Sequence, residues 1–471
     1  MAMDERLKRR ALLGVMLSVF LAAMESTVVA TAMPIVVKSL GGLEIYAWVF
    51  AGFLLTSTVT MPLWGRLSDL LGRRSTFLTG LVIFLVGSAL SGVSRNMTEL
   101  IAFRMLQGLG AGSIMTIGMT IVADLFGLER RAKMQGYISG MWGLASLVGP
   151  LLGGFLTDYV SWRWVFYINL PFGALAIVLI ATALRGQTPA ARRPVIDYMG
   201  LALFAGGISA LLYGVSVGGM HRFTAPGAVV PVALAAIALV AFVAVEHRAA
   251  EPIVPLRLFR HRMLVAAIVT GFLSGAAMFG TLSFVPLFLQ EVTGKSATQA
   301  GIVLTPFVLG WVVMSIVSAR LVLRIGYRTV VLSGMTCLTL SFLLLARWGA
   351  GLTTLGAMRD AIFGGVGMGL TMVPMLIAVQ SAVPRSDLGI ATSLTQFFRS
   401  VGGAVGVAVM GAVKTQRLDA GMSLERALHA VFVLGLFICV VALASALLVP
   451  AGRARDLARP EPQGEPTRVG G

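Results

Sequence analysis

Followed for hydrophobic and polar positions, the chain divides into long apolar stretches separated by short polar turns. Crossing a bilayer takes about 20 mostly apolar residues in a helix. Fourteen stretches qualify: 11–37, 46–67, 76–94, 98–124, 133–158, 163–184, 198–219, 226–246, 263–290, 298–320, 329–347, 354–380, 388–414 and 427–450. The pattern predicts an all-α integral membrane protein. Composition agrees, with 57% hydrophobic and 12% charged residues and a mean hydropathy of +0.89, far from a soluble domain. The apolar run after MAMDERLKRR is longer than a signal-peptide core and is expected to stay as the first helix.

Charge refines this picture. A net charge of +17 raises the question of nucleic acid, but the basic residues sit in loops between spans and no polar domain carries them, so no nucleic-acid partner is expected. With both termini cytoplasmic, 25 of the 37 Lys and Arg fall on that side and ten on the other, with Arg104 and Arg399 inside spans. That bias is what orients membrane helices, and it predicts a multi-pass protein of the cytoplasmic membrane. Two proline-bearing polar linkers, Arg185 to Ile196 and Glu246 to Arg262, bracket one pair of spans. The expected organisation is a six-helix bundle over 1–184, two extra helices with their linkers over 185–262, a second six-helix bundle over 263–450, and a disordered cytoplasmic tail over 451–471.

Internal repetition supports the division. The turn GRLSDLLGRR at 65–74 sets one acid among arginines between two glycines, and a degraded copy, ARLVLRIGYR, follows at 319–328. Gly65, Asp69 and Gly72 become Ala319, Leu323 and Gly326 at an offset of 254; Arg104 has Arg359 at an offset of 255. Such an acid–base turn reads as a latch of Gly65, Asp69, Gly72, Arg73, Arg74 and Asp124 that holds helices together in one state and releases them in another. Asp69 is expected to bond the start of a neighbouring helix or Arg73 and Arg74, with Asp124 a second acid for Arg73. Leu323 in place of an acid makes the latch one-sided.

Several stretches in order resemble the major facilitator superfamily, in particular its fourteen-helix drug:proton antiporter branch. They are GRLSDLLGRR, RMLQGLGAG at 104–112, GMWGLASLVGPLLGG at 140–154, LAAMESTVVATAMP at 21–34, WRWVFYINLPFG at 162–173 and the pattern from Gln396 to Arg399. The chain departs from the branch in carrying Glu25 where Asp is usual. The resemblance implies two six-helix bundles plus two additional transmembrane helices, fourteen in all, and transport by alternating access. It also implies that Gly149, Pro150, Gly153 and Gly154 act as a hinge or seal, beside their plain reading as close helix packing.

The chemistry rests on charges placed where they are expensive. Glu25 lies mid-way along the first span, where a titratable group needs a cavity or a basic partner. Arg104, directly or through Gln107, is the most economical partner. Burial favours the protonated carboxyl and a nearby cation the ionised one, so Glu25 and Arg104 form the candidate proton-coupling pair; a fixed internal ion pair is the alternative. Arg399, inside the thirteenth span, is expected to line a central cavity with Gln396 rather than reach Asp387. Met24, Gln107, Met115, Met119 and Trp142 from the first half are candidate pocket residues. Phe279, Phe284, Met372, Met375 and Phe397 join them from the second half, as an adaptable lining that is equally compatible with plain packing.

No His, Cys or paired-carboxylate constellation falls within the spans, and no nucleotide-binding motif is present, so neither an enzyme nor an ATP-driven pump is expected. No cofactor or metal is called for, the proton being the coupling ion. The leading expectation is a monomeric, proton-coupled exporter of small lipophilic or cationic drugs, a multidrug efflux antiporter. An exporter of an endogenous lipid, siderophore or metabolite, and a non-transporting membrane receptor, are the alternatives.

Overall fold

The computed structural model describes residues 4–42, 45, 48–185, 197–220, 223–249, 251–295 and 297–451. The expectations for the linker at 186–196 and the tail at 452–471 lie outside them. The first half contributes α1 (Glu5–Leu40), α2 (Trp48–Leu71), α3 (Arg73–Val93), α4 (Met97–Leu125), α5 (Leu128–Tyr159) and α6 (Trp164–Ala183, interrupted at Ile168). Then come α7 (Tyr198–Met220) and α8 (Pro226–Glu246). The second half contributes α9 (Arg262–Glu291), α10 (Ala297–Ile325), α11 (Tyr327–Leu345), α12 (Thr354–Ala382), α13 (Leu388–Asp419) and α14 (Leu424–Ala446). Among the described residues, thirteen helices are long and apolar enough to cross a membrane. The helix α5 runs over positions 146, 147 and 150, whose side chains lie outside the description, and is not among the thirteen.

Local signals set where the helices begin. Asn96 caps α4 by accepting from the Glu99 N–H at 2.8 Å, and Glu99 returns by accepting the Arg95 N–H at 2.9 Å, so the donors left free at a helix start are satisfied. Thr353 and Ser423 cap α12 and α14 in the same way. The turns from α2 to α3 and from α10 to α11 each reverse on a single glycine, Gly72 at φ +90° and Gly326 at φ +85°. A side chain rarely adopts that conformation, so the glycine at the bend is retained in both copies of the repeated segment.

Within the first half α2 and α3 pack on α4, and α1 packs on α5 and α6; within the second, α10 and α11 pack on α12, and α9 on α13. Small residues let the backbones meet. A Cβ on Gly112 would lie 2.6 Å from the Ser57 carbonyl oxygen of α2, and one on Gly369 would lie 2.5 Å from the Trp311 carbonyl oxygen of α10, both too close for any side chain. The halves meet through two related crossings, α2 on α13 and α5 on α10, so that each half offers its second helix to the other's fifth. The α7–α8 pair attaches through α7, which packs against α13 and α2.

Candidate functional site

The first feature is a charge pair sealed inside the first half. Glu25 is 1% exposed and Arg104 0%, and Arg104 Nη1 donates to Glu25 Oε1. The same nitrogen donates to Gln107 Oε1 at 2.7 Å, and the guanidinium lies 4.2 Å from the Phe53 ring centroid. Asn169 of α6 was absent from the sequence candidates. Its Nδ2 donates to Glu25 Oε2 at 2.6 Å and to Ser88 Oγ at 2.9 Å. Two polar atoms beside the pair, Gln107 Nε2 and Asn169 Oδ1, have no hydrogen-bond partner among the described residues. Removing two charges from water costs several kcal/mol per ion, and breaking such a pair strands the remaining charge. The protonation state of Glu25 is therefore tied to the fate of Arg104.

The pair is enclosed by helices of the first half, with Glu25 1% and Arg104 0% exposed. Its partners belong to α2, α4 and α6, with the Arg104 Nε donating to the Val49 carbonyl of α2 at 3.4 Å, and α5 closes the side of α1 one turn further on. There Gly149 meets Thr27 and Gly153 meets Thr31, with a Cβ on Gly153 falling 2.8 Å from the Val28 carbonyl oxygen. Gly154 has open space around it, so close approach in the GPLLGG run involves Gly149 and Gly153; the Pro150 side chain lies outside the description. Arg359, the repeat counterpart of Arg104, is no buried ion. Its side chain is 68% exposed and bonds to the adjacent Asp360.

The second feature is the 65–74 turn, which joins the halves. Asp69, whose side chain is 1% exposed, accepts the backbone N–H groups of Gly389 and Ile390 at 2.9 Å each, at the start of α13. It also accepts from Arg73, which in turn donates to Asp124 at 2.8 Å. A helix N-terminus exposes unpaired N–H groups and favours negative charge, so one carboxylate on α2 caps a helix of the other half. Gly65 lets α2 and α13 close, since its Cβ would sit 2.7 Å from the Gly389 carbonyl oxygen. Arg74 takes no part: its Nε donates to the Ala181 carbonyl of α6 at 3.2 Å. In the second copy of the turn, none of Arg320, Arg324 and Arg328 makes an ion pair among the described residues.

An amide clasp that the sequence did not announce adds to this contact. Gln135 of α5 donates to the Met119 carbonyl at 3.1 Å and to Gln380 Oε1 of α12 at 3.5 Å. Gln380 donates to the same carbonyl at 3.4 Å and to Thr392 Oγ1 of α13 at 3.3 Å. Asp387 bonds to Arg257 at 2.9 Å, not to Arg399.

The third feature is a small cavity in the second half, bordered by α9, α12 and α13. Arg399, Gln396, Met372 and Met375 line it with Thr371 and Thr395. Its volume is about 20 Å³, on a measure where one water needs roughly 10–15 Å³, so it has room for little more than a water, and its lining comes from the second half alone. Met24, Gln107, Met115, Met119, Trp142, Phe279, Phe284 and Phe397 do not line it. Helix rotation explains Phe397, which packs on Phe204 of α7 at a centroid distance of 5.4 Å. Gln107 is engaged by Arg104, and Trp142 meets Trp311 at 6.5 Å where α5 crosses α10.

Comparison with known proteins places the architecture. The sequence profile of the Major Facilitator Superfamily matches residues 15–407. Multidrug transporter protein MdtP of Bacillus subtilis is 40% identical over 421 residues, covering 88% of this chain and 77% of MdtP. Multidrug resistance protein 3 of the same organism is 35% identical, covering 86% of this chain and 79% of its own length. Among solved structures, the proton:xylose symporter XylE superposes with a TM-score of 0.65 at 14% identity, covering 95% of this chain and 96% of that one, a likeness of fold alone. The chain is a non-enzymatic membrane transporter and belongs to the major facilitator superfamily.

Proposed function

We propose that the chain is a proton-coupled exporter of lipophilic compounds, working by alternating access between bundles 1–184 and 263–450. In this reading α5 is the fourteenth span, both termini are cytoplasmic, and the face carrying the 65–74 turn is the cytoplasmic one. The names of MdtP and Multidrug resistance protein 3 support drug-like cargo. A single chain holds both bundles, so a monomer suffices, with the proton as coupling ion and no cofactor.

The observation that carries the proposal is the sealed set of Glu25, Arg104, Gln107 and Asn169. A proton arriving at Glu25 cancels the charge that Arg104 is buried against, and an uncompensated buried ion costs about 3–5 kcal/mol. That cost differs between conformations that expose or bury Arg104, and coupling requires such a difference. Asn169 suits both protonation states: its Nδ2 now donates to the carboxylate, and turned over, its amide oxygen accepts from a protonated Glu25. Contact continues from α1 through Gly149 and Gly153 to α5, and from α5 to α10 of the other half. The expected cationic cargo has no acid in the cavity to rest on, since the charged side chain lining it is Arg399.

Proteoliposomes with an imposed pH gradient test this directly. The parent should move substrate uphill, and Glu25→Gln should retain downhill exchange while losing accumulation. Equal uphill transport by Glu25→Gln would remove the coupling role.

A further inference from the structure

We propose that the cavity on α9, α12 and α13 is a head-group site for a carboxylate-bearing amphipath, with Arg399 and Gln396 as its anion-binding fork. The inference rests on the transporter reading and adds a substrate class to it. Arg399 lines the cavity from about a third of the way along α13, and its polar partner among the described residues is the thioether of Met372, at 3.0 Å from Nη1. A thioether is a weak acceptor, so the guanidinium retains donors in a fork whose geometry matches a carboxylate. The contrast with the buried Arg104 is direct: it has Glu25, whereas the half-buried Arg399 makes no ion pair among the described residues.

Gln396 stands three residues earlier on the same helix face, 5% exposed, without a hydrogen bond to any described residue, and borders the same cavity. Its amide supplies a further donor. The hydroxyls at the rim are already committed as donors: Thr371 to the Gly367 carbonyl at 2.8 Å, Thr395 to that of Ala391 at 2.9 Å, and Ser274 to that of Gly271 at 3.2 Å. Free donors therefore concentrate at Arg399 and Gln396. Beside them Met372 and Met375 offer an adaptable apolar wall for a chain or ring. A cation placed here would meet a like charge with no acid to offset it. An amphipath with a carboxylate head would satisfy the fork and leave its tail on the methionines once the cavity widens.

The experiment uses the full chain in nanodiscs of zwitterionic lipid, so that no bilayer lipid supplies an anionic head, and no pH gradient. The probes share one tail: radiolabelled dodecanoate and dodecyltrimethylammonium. The parent should bind dodecanoate at least tenfold more tightly. Arg399→Gln should abolish that preference, and Arg399→Lys should recover part of it. Equal affinity of the parent for both probes, which needs no variant to fold, would overturn the proposal, as would unchanged dodecanoate binding in a monodisperse Arg399→Gln protein. Selective dodecanoate binding without pH-driven transport of any compound would count against the exporter reading while supporting this site. Proton-driven export with no dodecanoate preference would do the reverse.

Discussion

The contact of Asp69 with the start of α13 links α2 of one half to α13 of the other, so its loss can be worked through quantitatively. In Asp69→Asn the side chain loses its charge and one of its two acceptor oxygens, while Gly389 and Ile390 keep their N–H groups. Hydrogen bonds to a charged group contribute about 1.5–3 kcal/mol, and a carboxylate at a partly buried helix N-terminus contributes up to about 2 kcal/mol. These overlap, and the open state regains water at the same groups, so a net loss of about 2–4 kcal/mol is expected. Screening takes little from it, because the Asp69 side chain is 1% exposed. At about 1.4 kcal/mol per factor of ten, the closed-to-open ratio at this face should fall roughly 30- to 700-fold. A parent closed about 99 times in 100 would drop to between about 3:1 closed and 7:1 open.

Pulsed electron-spin distance measurement reads those populations. Spin labels at the exposed Ser75 and Ser386 span the two halves, in a background with Cys337 and Cys439 replaced by alanine. Asp69→Asn should add a longer-distance population that the parent lacks. Asp124→Asn is the internal control. It too loses a bond to Arg73, 2.8 Å long, but that bond lies between α3 and α4 of one half and should leave the distribution in place. Superimposable distributions for the parent and Asp69→Asn, in proteins of equal thermal stability, would refute the latch. A shift of equal size in Asp124→Asn would show that loosening the first half, not uncapping α13, opens this face.

Other residues give separate tests. Gly153→Leu should lower the thermal midpoint and impair monodispersity in detergent, because overpacking costs about 1–3 kcal/mol and Val28 and Thr31 of α1 lie against this glycine; Gly154→Ala, where nothing lies within 4 Å, should leave the midpoint unchanged or slightly raised. Gln380→Leu should open the turn face in the same spin-label assay by a smaller factor than Asp69→Asn, since a neutral hydrogen bond contributes about 0.5–1.5 kcal/mol. Asn169→Ala should reduce pH-gradient-driven transport roughly 10- to 100-fold, from the loss of a bond to a charged group worth about 1.5–3 kcal/mol, with Asn169→Ser recovering part of it; full activity in Asn169→Ala would remove Asn169 from the coupling set.

What could be read from the sequence followed the cost of each residue's placement. A glutamate and an arginine inside apolar spans stand out because few positions tolerate them, and each had few partners to choose from; the glycine–acid–arginine turn stands out for the same reason. A neutral amide carries no charge that demands a partner, so Asn169, Gln135 and Gln380 passed unmarked although all three are buried and hydrogen-bonded. Helix rotation is invisible to composition, which is why Phe397 was assigned to the cavity when it faces α7. The repeat gave the frame and misled on the charges. At the 254-residue offset Asp69 falls on Leu323 and Glu25 on Phe279, while at 255 Arg104 falls on Arg359, which is exposed. The glycines that shape the turns survive in both copies because both halves must build the same bend. The two acids, Asp69 and Glu25, survive in one copy because a transporter gains nothing from two competing locks or two competing proton sites on opposite sides of one pathway. The places where a duplicated membrane fold loses its internal likeness are therefore where its chemistry should be sought, and Arg399, which has no acid partner, is such a place in the second half.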